Sequence, residues 1–450
     1  MSDAPAHSRG ARQVMRSLGI PAAVLDFRPR LPSRNWMIFL SVTGSLVGAY
    51  AYDRRECRRI KEEYKAKVAH LATVPLATND FTRKVTVYAC KSPDDEDATR
   101  SERFFRKYLK PILVAAAVDY EIINGNRYGA LALDIADKIR TKRRIAAGIE
   151  PEPINLIPLP TQMTPEQKAA RELEGGTIII GRHTWKEFLA GTVAGWSGSV
   201  RKVDLEEELS QELHDDGVFD EPDVDELSDG ASSGRPFYKP PMHLSPLTQL
   251  PFQSQFRPTS NPSPSLTADH PPPDHVPPQP PLLLVPFSNL IGFRNIPRMI
   301  VNFFNERERV RIGSAAAYAL VQAQTRPFSI PTDLDFDIKQ EAEYLSGFET
   351  LPESREKTRS EYYQQLAKKL ATARELARGK REPTKDEATH PPPTEVELRA
   401  ERLKKELRWR ADVRGWSILH RGSPPQWDHR LDTSFKVFEL PSSSLGSEER

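Results

Sequence analysis

The sequence predicts an α/β protein: a single N-terminal transmembrane helix followed by a small α/β domain with a disordered insertion and charged C-terminal helices. Three observations carry this. Between Asn35 and Tyr52 there is no charged side chain, in a chain that is 28% charged with a mean hydropathy of −0.56. From Arg83 onward, short β-branched runs alternate with amphipathic helical stretches, the order that builds parallel sheets. The forty prolines are concentrated in tracts that cannot form a core.

The elements follow in order. Residues 1–35 hold six Arg, no Lys and only Asp3 and Asp26, the Arg-rich, acid-poor composition of a mitochondrial presequence. Residues 36–52 form the expected span. Its seventeen residues cover about 25 Å as a helix, against roughly 30 Å of hydrocarbon. Trp36, Tyr50 and Tyr52 are placed as interface rings, and Arg34 and Arg54 as snorkelling anchors. Gly44 and Gly48 form a G-x-x-x-G, and Ser41 and Ser45 lie one turn apart on a neighbouring stripe, a surface small enough for a second helix. Such residues are also ordinary in any membrane helix. Ala49-Tyr50-Ala51 resembles a signal cleavage site, yet the leader is too long for an n-region, so the reading is a retained anchor. Seven Lys/Arg between Arg54 and Lys67 balance those before the span, so charge does not choose an orientation.

The α/β domain is expected over 53–200 and again over 281–330. Arg54–His70 continues the first helix as a solvated one. Arg83–Lys91 alternates Val85, Val87 and Ala89 with polar residues, as a strand does. The helix after it starts near Thr99 or Ser101, with a kink at Pro111. Asp119–Gly125 is a second strand, followed by a helix stopped at Gly148. Thr177–Ile180 is a short buried strand, and a helix runs from His183 to Trp196. Residues 201–230 hold thirteen Asp/Glu, and Pro-rich sequence follows, so 201–280 reads as a linker. Order returns at "LLLVP", a further strand, and at a helix with Pro297 in its first turn and Ile300, Val301, Phe303 and Phe304 along it. Residues 331–450 are a charged helical region whose alternating signs imply solvated faces.

No catalytic set emerges. Gly175-Gly176 precede a strand and lack the Lys-Ser/Thr of a phosphate loop. Gly181-Arg182-His183-Thr184 lies at a strand-to-helix turn where amides can meet an anion; a turn glycine and a Thr cap explain it as well. Asp333, Asp335 and Asp337 lack the Gly and Glu of a calcium loop and read as a loop and cap. His70 and His183 stand alone. Cys57 and Cys90 form no metal or disulfide pattern. The net charge of +2 points to no nucleic-acid partner.

Blocks spanning the chain carry a resemblance: "LGIPA" (Leu18–Ala22), "LPSRNWMIF" (Leu31–Phe39), "AYD" (Ala51–Asp53), "RKVTV" (Arg83–Val87), and the stretches within Lys107–Ile122. Further on come "GRHTWKEFLAG" (Gly181–Gly191), "LLLVPFSNLIGFRNIPR" (Leu282–Arg298), "TRPF" (Thr325–Phe328) and "QWDHRLDTSFKVFEL" (Gln426–Leu440). Together they resemble the fifty-four-kilodalton subunit of the carrier translocase of the mitochondrial inner membrane. The resemblance implies a single span with a short matrix tail and a large intermembrane-space domain. It also implies a non-enzymatic scaffold role, with partners among the pore-forming and other translocase subunits, the small intermembrane-space chaperones and inner-membrane lipid, and no cofactor. The acidic and Pro-rich insertion and the charged helix around Glu353–Arg381 depart from the family. The rival expectation is a membrane-tethered α/β enzyme with a pocket at the strand ends near Gly181 and Asn124.

Overall fold

The computed structural model describes residues 33–76, 80–151, 164–202, 204–220, 272–344, 346–384, 387 and 390–440. The Arg-rich tail up to residue 32 and most of the Pro-rich tract lie outside them. The chain divides into two units, residues 1–56 and 57–450.

Helix α1, Arg34–Val68, begins where the apolar window was expected. Among the described residues no helix is long and apolar enough to cross a membrane. The expected span over 36–52 is therefore a helix, but not one that meets that standard alone. Gly44, Gly48 and the hydroxyls of Ser41, Thr43 and Ser45 dilute an already short window. Past the unit boundary, α1 is less solvated than expected: Cys57, Ile60 and Val68 are buried in the core of the larger unit, which leaves the charged residues between them on the outside.

That unit is built on a six-stranded sheet in the order β2-β1-β3-β4-β6-β5. The strands are β1 Lys84–Cys90, β2 Asp119–Gly125, β3 Thr177–Ile180, β4 Leu282–Val285, β5 Thr325–Pro327 and β6 Lys436–Phe438. All pairings are parallel except β5 with β6. β3 and β4 are buried along their whole length, so they read as unbroken apolar runs instead of alternating ones. The pleat still separates two cores. Val85, Val87, Ile178, Ile180, Leu283 and Val285 face one cluster, and Tyr88, Ile179, Leu282 and Leu284 face the other.

The first core is covered by α2 (Arg100–Phe104), α3 (Lys110–Ala115) and α9 (Glu306–Gln322), through Phe105, Ile112, Leu113, Val310 and Leu320. The kink expected at Pro111 is a π-helical turn at Phe105–Leu109. Proline has no N–H for the carbonyl one turn back, and the backbone widens just before it. Thr99 occupies the cap position of α2 without a side-chain bond to the helix; its hydroxyl donates instead to Asp97 at 2.7 Å.

The second core is covered by α4 (Ala130–Ala146) and α6 (Gly181–Ser197). In α6 every residue from Gly181 to Gly195 is buried, because α6 packs on the sheet and on α4 and also meets a C-terminal helix at Ile418 and Leu419. The short α5 (Pro165–Gly175) precedes β3 and carries a capping box between Thr164 and Gln167.

Two expectations are corrected beyond the sheet. The acidic start of the linker forms α7, Leu205–His214, capped by Asp204. It docks on the C-terminal pair α10 (Leu351–Ala377) and α11 (Glu395–Leu419). Arg410 grips Glu212 at 2.7 and 2.8 Å, Arg402 pairs with Asp216, and Phe219 enters a cluster with Tyr363, Leu366 and Trp409. Nor are α10 and α11 simply solvated. Arg359, Arg402 and Glu406 are buried between them; Glu406 accepts from Arg359 Nε at 2.7 Å and from Tyr363 OH at 2.9 Å. Alternating signs here serve an interhelical ion network, which in sequence looks the same as a wet face. Helix α8, Ile296–Phe304, carries the expected Pro297 in its first turn and has no buried residue at all.

Candidate functional site

The strand ends hold a buried polar cluster. Gly181 turns from β3 into α6 with φ +81°, a conformation that glycine adopts without strain. The α6 N-terminus is not open to an anion: the Arg182 amide donates to Gln340 Oε1 at 2.8 Å, and Arg182 Nε and Lys186 Nζ reach Glu341 at 2.8 and 2.7 Å. Thr184 is buried and lies 3.5 Å from the Cys90 sulfur instead of capping. His183 sits between the hydroxyls of Ser92 and Ser101 at 3.3 and 3.2 Å. Burial lowers its pKa to about 4, so it is neutral at pH 7. Asn124, at the other expected pocket wall, points its amide toward Ala98 O. The cavity left at these strand ends, lined by Ser92, Asp94, Asn289, Gln340 and Tyr344, is about 10 Å³. That is room for about one water. Neither Gly181 nor Asn124 lines this cavity, and Gln340 and Glu341 of the 338–343 segment occupy the start of α6.

The α4–α6 junction uses chemistry that sequence reading passed over. Glu187, buried in α6, accepts from the amides of Gly129 and Leu131 at 2.9 and 3.1 Å, capping α4 from outside. Burial raises its pKa to about 7, against the pull of those amides. In return, Arg143 of α4 donates to the carbonyls of Gly195 and Gly198, both at 2.7 Å, closing the end of α6. Between these caps the backbones approach closely: a Cβ on Gly191 would lie 2.5 Å from Ala132 O, and one on Gly195 would lie 2.7 Å from Ile139 Cβ. The signal was present as a second G-x-x-x-G, Gly191 to Gly195, facing Ala132 and Ala136.

A larger cavity of about 1150 Å³ opens between Tyr88 of the sheet, Ile135 and Ile139 of α4, Trp196, and Pro277–Pro280. Its lining includes two ion pairs, Lys84 with Glu121 at 2.7 Å and Lys142 with Glu172. Cys57 and Cys90 are both buried. Among the described residues no group of His, Cys, Asp and Glu is placed to hold a metal ion.

The small-residue stripe of α1 is the open counterpart. Ser41, Gly44, Ser45 and Gly48 are exposed, and a Cβ on either glycine would meet nothing within 4 Å. Trp36, Tyr50 and Tyr52 are exposed, as are Arg34 and seven large apolar side chains from Met37 to Val47. Arg54 lies over the Tyr50 ring at 4.9 Å, holding that pair of expected interface residues together.

Comparison with known proteins agrees with these blocks. The family described as inner membrane protein import complex subunit Tim54 matches residues 12–378. A protein of Cryptococcus neoformans named mitochondrial import inner membrane translocase subunit TIM54 is 36% identical over 445 residues, 98% of this chain and 97% of the relative. Proteins of the same name from Aspergillus oryzae and Saccharomyces cerevisiae are 32% and 26% identical, over 68% and 78% of this chain and 68% and 90% of the relatives. On the extent of both matches, the chain belongs to the Tim54 family of inner membrane protein import complex subunits.

Proposed function

We propose that this chain is a non-enzymatic scaffold subunit of the inner-membrane translocase that inserts multispanning carrier proteins into the mitochondrial inner membrane. It supports assembly of the pore-forming subunits and offers a docking surface to small intermembrane-space chaperones. The observation that carries the reading is the unfilled stripe of Gly44 and Gly48 on a stretch of α1, residues 36–52, whose apolar side chains are all exposed, in a family of import-complex subunits. In water that helix would leave its apolar surface uncovered. Against a neighbouring membrane helix its small face permits backbone contact.

The helix is proposed to pass once through the membrane, with the N-terminus in the matrix and the larger unit in the intermembrane space. Its apolar window is short and diluted, so spanning draws on Arg34 and Arg54 at the ends, local thinning of the bilayer and a partner helix. The anchoring roles of Trp36, Tyr50 and Tyr52 belong to the same proposal. The rival, a membrane-tethered enzyme of the intermembrane space, gains little support from a strand-end cavity of about 10 Å³.

The test is replacement of the chain in isolated mitochondria by the Gly44→Leu/Gly48→Leu variant. Carrier insertion is expected to fall while import of presequence-bearing matrix proteins is unchanged. Equal loss of both routes, or loss of neither, sinks the reading. Protease added to intact mitochondria and to swollen mitoplasts, with antibodies to each end, checks the orientation.

A further inference from the structure

Helix α8 is a short amphipathic rod on the surface of the larger unit. Ile296, Met299 and Ile300 recur at i, i+3 and i+4 and share one face, Val301 widens it, and Arg298 and Asn302 lie opposite. None of the nine residues is buried, and Phe293, one turn earlier, is 91% exposed. A surface face of this kind contradicts the usual placement of such residues and marks an interaction site.

Charge selects the partner. From residue 275 to residue 305 there is no Asp or Glu, while Arg294 and Arg298 are exposed. The nearest acid recorded for Arg298 is Glu343, at 4.0 Å, with its side chain only 21% exposed. Glu306, which follows the helix, is buried and bonded to Tyr108 and Lys107. The surface is therefore apolar and cationic. Nine residues span about 14 Å, far short of a bilayer core, yet suit a helix lying in the headgroup plane with its apolar face turned to the acyl chains.

We propose that α8, together with Phe293, is an interfacial anchor seated on an anionic lipid surface, a membrane contact separate from the N-terminal helix. It does not depend on the scaffold reading, since it concerns lipid alone.

The test uses the full chain reconstituted into vesicles, with Val301→Cys carrying an environment-sensitive fluorophore; Cys57 and Cys90 are buried, which directs labelling to the exposed thiol. A matched chain carries the probe at Lys404→Cys on α11, an exposed site outside the proposed contact. In vesicles containing phosphatidylglycerol, the probe at 301 is expected to shift to the blue and to be quenched by brominated acyl chains, while the probe at 404 stays aqueous. Ile300→Glu abolishes the shift, and Arg294→Glu/Arg298→Glu weakens it. An aqueous signal at 301 in these vesicles overturns the proposal. So does a shift present without lipid, which assigns the face to a second copy, or one seen only in the assembled translocase, which assigns it to a protein subunit. Equal burial in pure phosphatidylcholine overturns the commitment to anionic lipid.

Discussion

Two G-x-x-x-G spacings in this chain have opposite fates. Gly191 and Gly195 are pressed against α4, where any side chain would strike backbone or Ile139. Gly44 and Gly48 face open space. The motif is therefore a statement about how near another helix can come, not about whether one does. What distinguishes the pair is their surroundings. Around Gly191 the chain supplies its own partner, with Glu187 and Arg143 fixing both ends of the contact. Around Gly44 no charged residue is available to fasten a helix of the same chain, and the apolar flanks suit lipid or a membrane partner.

The contrast can be broken from either side. The largest effect belongs to Gly191→Leu: the added side chain meets Ala132 backbone atoms that cannot move independently of α4, so we expect a loss of about 3 kcal/mol or more, read as a lower urea midpoint. A midpoint within error of the parent would show that α4 and α6 are not in close contact.

Next is a pH dependence at the same junction. Glu187 has its folded pKa raised from 4.5 to about 7, so its contribution to stability is fully present below pH 4.5 and is lost as pH rises through 7. His183 has its folded pKa lowered from 6.5 to about 4, so its contribution is present above pH 6.5 and is lost as pH falls through 4. Each amounts to roughly 3 kcal/mol, and between these limits they oppose one another. Glu187→Gln keeps an acceptor for the α4 amides and removes one of the two titrations. Acidification from pH 7 to 4.5 is then expected to cost about 3 kcal/mol more than in the parent; parallel unfolding profiles would refute the buried carboxyl.

Smaller again is Arg143→Ala, which leaves the carbonyls of Gly195 and Gly198 without their donor. About 1–2 kcal/mol of stability should be lost, measured by the same titration. The smallest effect is expected at the other motif: Gly44→Leu/Gly48→Leu should leave the urea midpoint within about 0.5 kcal/mol while shifting the chain to a smaller assembly on native gels. A large drop in midpoint would mean that α1 packs on its own chain.

Much of the sheet was legible because short apolar strands bounded by turns leave a clear pattern: β2 and β3 fall at the residues their patterns marked. The 204–220 stretch misled because acidic richness marks disorder only when no cation waits elsewhere, and Arg402 and Arg410 lie almost two hundred positions away in sequence. Charged helices show the same degeneracy, since Arg359 and Glu406 look identical whether they face water or each other. The strand-end site was half legible. Gly181 was correctly a turn, but Gln340 and Glu341, which occupy the helix start, come from a segment with no local tie to it. For α8 the sequence marked the helix and its apolar residues, but their exposure depends on neighbours that the pattern does not name.

The sheet is completed from the far end of the chain. β6 lies inside the sheet, bridging β4 through Leu282 and Val437 and holding β5 along Thr325–Pro327. A polypeptide emerging amino end first, from a ribosome or an import channel, must hold an unfinished β4 flank until Lys436–Phe438 arrive. Products cut short before Lys436 keep that flank bare and ready to pair with a stranger, so delivery of β6 becomes a condition of quality for this molecule.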